Sequence, residues 1–153
     1  MKSAPIKSCH IMLVEDSPFD ANFFKFTLQK SELPITLTLK HDGEDALATL
    51  RESFTNPTTN IQKFDAVILD LSMPGFSGIE FLEQSWQLRK EHPIMVLVLS
   101  GSNNANDKEI CRKWGATDYF IKPWELEGYI SMLKGPMREK LALVRPDVFL
   151  DVP

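Results

Sequence analysis

Hydrophobic positions in this chain come in short blocks separated by longer amphipathic stretches. The runs Cys9–Val14 (CHIMLV), Ala66–Leu69 (AVIL) and Ile94–Leu99 (IMVLVL) are too short for globular helices and nearly free of polar alternation, so they read as strands buried on both faces. After Pro34 the pattern changes: Ile35, Leu37 and Leu39 alternate with Thr36, Thr38 and Lys40, which marks a half-buried strand and hence a sheet edge. A fifth short strand is predicted at Asp118–Ile121.

Helical stretches fill the gaps. Ser17 can cap free amides and Pro18 tolerates the first helical position, so a first helix is predicted from there to about Lys30. After the Asp42-Gly43 turn, Ala46, Leu47 and Leu50 give a short helix over about Glu44 to Glu52. The following SFTNPTTNIQK is polar, aperiodic and carries Pro57, as a surface loop does. Ile79, Leu82 and Trp86 are spaced for a third helix, about Ile79 to Lys90, which His92-Pro93 ends. Asn103 or Asn104 caps a fourth, about Ala105 to Trp114, closed by Gly115. A fifth, about Glu125 to Leu133, is expected to stop at Gly135-Pro136. Beyond it, one helical piece to Val144 and an extended end are expected. The first helix has one unusual feature: Ala21, Phe24 and Leu28 form one apolar side, and Phe19, Phe23 and Phe26 form another nearly opposite. A helix lying on a single sheet face needs only one.

Strands alternating with helices imply a parallel sheet covered on both faces. With right-handed crossovers, the economical arrangement is an α/β, flavodoxin-like, doubly wound five-stranded sheet in the order 2-1-3-4-5. Chemistry in such sheets sits beyond the carboxyl ends of the strands. Those ends deliver Glu15, Asp16, Asp70, Ser100 and Lys122.

Composition narrows the class. A chain of 153 residues, 43% hydrophobic, fits one domain with a real core. The net charge of -4, with no block of Lys and Arg, argues against nucleic acid as a partner. Cys9 and Cys111 are far apart and lack CxxC spacing, and no apolar segment suits a secretory signal or a membrane span. Reduced thiols in a cytoplasmic protein are expected, as core filler or surface bystanders.

Three carboxylates in one crevice cannot all stay ionised without a cation, and an oxygen-only donor set suits Mg²⁺. With such an ion bound, Asp70 is a plausible nucleophile toward phosphorus, and Lys122 and Ser100 would hold the remaining phosphoryl oxygens. Singly, each residue has a plainer reading. Glu15 and Asp16 could cap the first helix, Lys122 could be a solvated turn residue, and Ser100 could cap the fourth helix. Tyr119 could be an ordinary strand aromatic, and Met73 and Ile79 ordinary packing. The set, taken together, favours the chemical reading.

The stretches LVEDSP, ILDLSMPGFSG, VLSG and DYFIKP, in this order and spacing, resemble the receiver domain of two-component response regulators over about residues 8–134. The resemblance implies that Asp70 is the phosphoacceptor. It implies that Asp16, Asp70 and the backbone carbonyl of Ser72 ligate Mg²⁺ or Mn²⁺, with Glu15 acting through water. Ser100 matches the switch hydroxyl, Lys122 the phosphoryl-contacting lysine, and Tyr119 the switch aromatic. The implied phosphodonor is a histidine kinase or a histidine phosphotransfer protein, within a two-component system or phosphorelay. Residues 1–7 would then be an N-terminal arm and 135–153 a C-terminal extension. No DNA-binding or enzymatic segment comes after it, so a single-domain regulator rather than an enzyme is expected, acting by conformational change and partner binding or by onward phosphotransfer.

Two other classes compete. A non-phosphorylated pseudo-receiver scaffold usually lacks part of the acidic pocket, which is complete here. An aspartyl-phosphate phosphatase resembles a DxD pattern, whereas Ser72 stands where its second acid would be and no cap insertion exists. The phenylalanine stripe is expected to be covered by the tail through Leu141, Leu143, Val144, Phe149 and Leu150. The alternative for it is a docking or homodimer surface.

Overall fold

The structure is a computed structural model that describes residues 7–56, 58 and 63–150. Its elements run β1 Cys9–Val14, α1 Pro18–Ser31, β2 Ile35–Lys40, α2 Gly43–Thr55, β3 Ala66–Leu69, α3 Gly78–Glu91, β4 Met95–Ser100, α4 Ala105–Lys113, β5 Asp118–Ile121 and α5 Leu126–Met132. A π-helical turn Leu133–Met137, α6 Arg138–Val144 and α7 Pro146–Phe149 complete the described chain. All strand pairs are parallel and the order is β2-β1-β3-β4-β5, as the alternation of elements predicts.

Side chains on a strand alternate between faces, and here they divide the core in two. Ile11, Leu13, Ile68, Leu97 and Leu99 pack with Phe24 and Leu28 of α1, Tyr129 and Met132 of α5, and the tail. Met12, Val14, Val67, Leu69, Val96 and Val98 face Ala46, Leu47 and Leu50 of α2 and Phe81 and Leu82 of α3. β1, β3 and β4 are buried throughout, and β2 lies half-buried at the edge. Cys9 and Cys111 are free, buried members of this core, and burial pushes their thiols up to about 12 and about 11.

Helix starts agree with the caps predicted at Ser17 and Asn104, and the structure adds caps at Asp42 and Ser77. The side chains of Ser17, Asp42, Ser77 and Asn104 each accept a backbone N–H from the first turn of the helix they precede. The loop after α2 is shorter than its polarity suggests, because α2 continues to Thr55; Pro57 and residues 59–62 lie outside the described residues.

The tail departs from expectation. Gly135-Pro136 does not stop the fifth helix: the chain passes through them in the π-helical turn and continues as α6. Proline lacks an N–H and its ring crowds the preceding turn, so a locally widened turn lets the helix continue. Past Val144 the expected extended end is instead the short helix α7. Arg145 fixes this corner. Its guanidinium donates to the Ser8 carbonyl at 3.0 Å and to Asp65 Oδ2 at 2.9 Å, and it forks onto both oxygens of Asp147 at 2.9 and 2.8 Å.

The phenylalanine stripe is not covered as expected. α5 runs back from the carboxyl end of β5, so the tail reaches the opposite end of the sheet, where Leu141, Val148 and Phe149 enter the core. Phe19 and Phe26 remain 77% and 45% exposed. Phe23 is half-buried, edge-on to Tyr129 at 5.0 Å and stacked on Phe19 at 6.4 Å.

Candidate functional site

Ladder hydrogen bonds carry the sheet one residue past its strands and thereby fix the site's backbone. The amides of Glu15, Asp70 and Lys122 donate to the carbonyls of Lys40, Val14 and Ser100 at 2.9, 3.1 and 2.8 Å. Their side chains project from the carboxyl edge, the position predicted for them. Glycine makes one close approach possible here: a Cβ on Gly78 would lie 2.5 Å from the Asp70 carbonyl oxygen and 2.7 Å from Leu71 Cα. The turn after β3 therefore folds onto the backbone of Asp70 itself. Gly75 completes that turn with a φ of +79°, left-handed backbone that suits glycine.

Ligand oxygens of Glu15, Asp16 and Asp70 lie within 4.8 Å of one another. Glu15 and Asp70 are buried and Asp16 is half-buried. Glu15 is held from two sides, Oε1 accepting the Ser17 amide at 3.1 Å and Oε2 the Lys122 ammonium at 3.0 Å. Asp70 Oδ1 accepts the Ser72 amide at 3.2 Å, and its Oδ2 lies 3.6 Å from Lys122 Nζ. Burial, with the negative charge of Asp70 added, pushes the Glu15 carboxyl up to about 7 despite Lys122. Burial likewise raises Asp70 from its ordinary value, against the pull of Lys122 and the Ser72 amide. Burial alone would lower the Lys122 ammonium, but Asp20, Asp70 and Glu15 together hold it above its ordinary value. Two crowded acids that resist ionisation, beside a third, form an all-oxygen donor set that can hold a hard cation.

An open cavity of about 370 Å³ lies over these groups, lined by Glu15, Asp16, Ser17, Asp20, Asp70, Ser72, Gly101, Ser102 and Lys122. Ser100 and Tyr119 are not part of that lining. Ser100 is fully buried and its Oγ accepts the Ser102 amide at 3.1 Å. The Tyr119 hydroxyl donates to the Ser102 carbonyl at 2.8 Å, and the Lys108 ammonium lies over its ring at 5.7 Å. Of the residues singled out in the sequence, five thus stand at the cavity and two behind its β4–α4 wall.

Asp20 is the residue that sequence reasoning missed. Its Oδ2 lies 2.9 Å from Lys122 Nζ. The signal was present: Asp20 lies in the first turn of a helix whose Ser-Pro start is plain and directly follows the acidic pair at the end of β1. Beside this site a more apolar cavity of about 510 Å³ runs between α1 and the β5–α5 connection, lined by Phe19, Phe23, Ile121, Trp124 and Tyr129 and sharing Asp20, Gly101 and Lys122 with the first.

Comparisons with known proteins agree with this geometry. The response regulator receiver domain family matches residues 11–134. A transcriptional regulatory protein of Bacillus subtilis, YkoG, is 28% identical over 130 residues, which are 85% of this chain and 51% of that one. The response regulator ArlR of Staphylococcus haemolyticus is 24% identical over 131 residues, 86% of this chain and 53% of its own. The chain thus spans about half the length of these curated relatives. Among solved structures, the phosphorylated cyanobacterial phytochrome response regulator RcpA superposes with a TM-score of 0.76 at 28% identity, covering 90% of this chain and 96% of RcpA. The chemotaxis protein CheY4 of Vibrio cholerae gives a TM-score of 0.67 at 23% identity, covering 84% and 98%, and bears on the fold alone. Among the described residues no helix is long and apolar enough to cross a membrane. With the sheet order, the acidic trio and the family match in agreement, the chain belongs to the response regulator receiver domain family.

Proposed function

We propose that this receiver accepts a phosphoryl group on Asp70 in the presence of Mg²⁺ or Mn²⁺ and signals through the resulting change of shape. One observation carries the reading: the Lys122 ammonium and two further carboxylates, Glu15 and Asp16, converge on a single buried aspartate at the open edge of the sheet. Asp16, Asp70 and the Ser72 carbonyl would hold the cation, with Glu15 reaching it through water. Bound there, it would neutralise the crowded acids and the incoming phosphoryl oxygens.

In the transfer, an Asp70 carboxylate oxygen forms a bond to phosphorus while the bond from phosphorus to the donor breaks. For a phosphohistidine donor, on a histidine kinase or a histidine phosphotransfer protein, the P–N electron pair stays on the imidazole nitrogen, which takes up a proton. Lys122 supplies positive charge at the receiving side, and Ser100 turns from the Ser102 amide toward the phosphoryl group. Tyr119 moves with it, because its hydroxyl is tied to the same Ser102. Such a shift selects between two packings of the β4–α4 loop.

Intact-protein mass after incubation with a small acyl phosphate, with and without Mg²⁺, tests this. The expected result is a Mg²⁺-dependent gain of one phosphoryl group that Asp70→Asn abolishes. Gain of the same group by Asp70→Asn would assign the nucleophile elsewhere. A second reading, a scaffold that is never phosphorylated, draws on the uncovered aromatic surface of Phe19, Phe26 and the fully exposed Trp124; no gain under any condition would favour it.

A further inference from the structure

Lys122 is shared among three carboxylates, and unequally. Its ammonium lies 2.9 Å from Asp20, 3.0 Å from Glu15 and 3.6 Å from Asp70. An ammonium offers three donors, and two of them are spent in charge-assisted hydrogen bonds to acids other than Asp70. A phosphoryl group on Asp70 would bring several strong acceptor oxygens and a charge approaching two into the same cavity. Lys122 can turn to it only by loosening one of its present partners.

The two partners are not equally replaceable. The Glu15 side chain is 5% exposed, is held also by the Ser17 amide, and belongs to the carboxylate trio. Asp20 is 38% exposed and stands outside that trio. It lies in the first turn of α1, where the aligned backbone amides favour a negative charge whether or not Lys122 is present. It can therefore release Lys122 to water-exposed surroundings at small cost, whereas Glu15 cannot.

We propose that Asp20 is a rival acceptor for Lys122, one that competes with the phosphoryl group on Asp70 and so weakens the phosphorylated state. The proposal rests on the reading of Asp70 as phosphoacceptor. Asp20 touches the lysine and not the reacting atoms, so its part is that of a positioning residue. Because the rivalry is electrostatic and partly exposed, it responds to ionic strength.

The test uses the full chain, Mg²⁺ and beryllium fluoride as the phosphoryl probe, with affinity read by calorimetry. Asp20→Asn keeps the shape and the backbone amide that Ser17 caps but removes the charge. It is expected to bind the probe about fivefold more tightly than the wild type, the size of one partly exposed ion pair. The gap should narrow as salt is raised, and Asp20→Glu, which keeps the charge, should stay near the wild type. Equal or weaker binding by Asp20→Asn, or a gap indifferent to salt, would overturn the rivalry. A wild type that ignores the probe, or an Asp70→Asn variant that binds it normally, would instead overturn the phosphoacceptor reading, and Asp20's part with it.

Discussion

The Tyr119 hydroxyl donates a 2.8 Å hydrogen bond to the carbonyl of Ser102, joining β5 to the loop that leaves β4. Ser102 is also where Ser100 is anchored, through its amide. A movement of Ser100 toward Asp70 therefore pulls on Tyr119 by way of one intervening turn.

Removing that hydroxyl should uncouple the two ends. Tyr119→Phe is expected to keep phosphorylation at Asp70 while losing much of the response at α4 and β5. The folded state should lose about 1 kcal/mol, one hydrogen bond's worth. Hydrogen exchange of the α4 amides with and without beryllium fluoride reads this directly: an unchanged difference in the variant would show that the bond to Ser102 transmits nothing.

Cation binding should reshape the pH dependence of stability. Burial and the charge of Asp70 push Glu15 up to about 7 from an ordinary 4.5, so between those values the folded protein binds more protons than the unfolded chain. Without divalent cation, stability should therefore fall as pH rises from about 4.5 to about 7 and level off above, an effect on the order of 3 kcal/mol. Mg²⁺ should restore more stability at pH 8 than at pH 5, where the acids already carry protons. Thermal melts in chelator and in Mg²⁺ at both values settle it; a chelator profile flat across that window would contradict the crowding argument.

Much of this site was legible because it lies at strand ends. The runs that end in Val14 and Leu69 announce buried parallel strands, the shorter Asp118–Ile121 adds a fifth, and the residue after each must emerge at one edge of the sheet. Asp20 is harder to find because apolar spacing along α1 says nothing about a charge that faces the crevice. The tail was harder. Gly135-Pro136 ordinarily ends a helix, and only burial of Leu133, Met137 and Leu141 along the same face makes continuation through a π turn favourable. That burial depends on α5 running the length of the sheet, which no local spacing records. The second apolar stripe of α1 is visible in the spacing of Phe19, Phe23 and Phe26, but Leu141 and Phe149 emerge at the other end of the sheet, which spacing does not show.

Gly78 should be intolerant of any side chain. Even the Cβ of alanine would meet the Asp70 carbonyl at 2.5 Å and Leu71 Cα at 2.7 Å, both backbone and unable to swing aside. Gly78→Ala is expected to destabilise the fold by about 1–3 kcal/mol, as overpacking does, and to slow phosphorylation by displacing Asp70. Denaturant unfolding alongside the phosphorylation rate would show both effects; a variant normal in each would mean that the turn after β3 relaxes freely.

The tail should behave as part of the core. Phe149 is 1% exposed among Cys9, Ile11, Met137 and Leu141, and its carbonyl accepts a 3.0 Å hydrogen bond from Arg138. Truncating this ring to alanine should cost about 3 kcal/mol, near the lower end for buried phenylalanine because a terminal helix can partly collapse into the space. Arg145→Ala should cost less by its own charge pairs, which are part-exposed, but it also leaves Asp65 without its guanidinium partner, and Asp65 receives the His10 amide at 2.8 Å. Removing everything after Gly135 should therefore lower the melting temperature more than either substitution and leave Phe19 and Phe26 as exposed as before, since the described residues of the tail do not cover them. Urea unfolding of the three variants ranks them. If the truncated chain were as stable as the full one, α6 and α7 would be an ornament on the receiver and not the floor of its α1–α5 face.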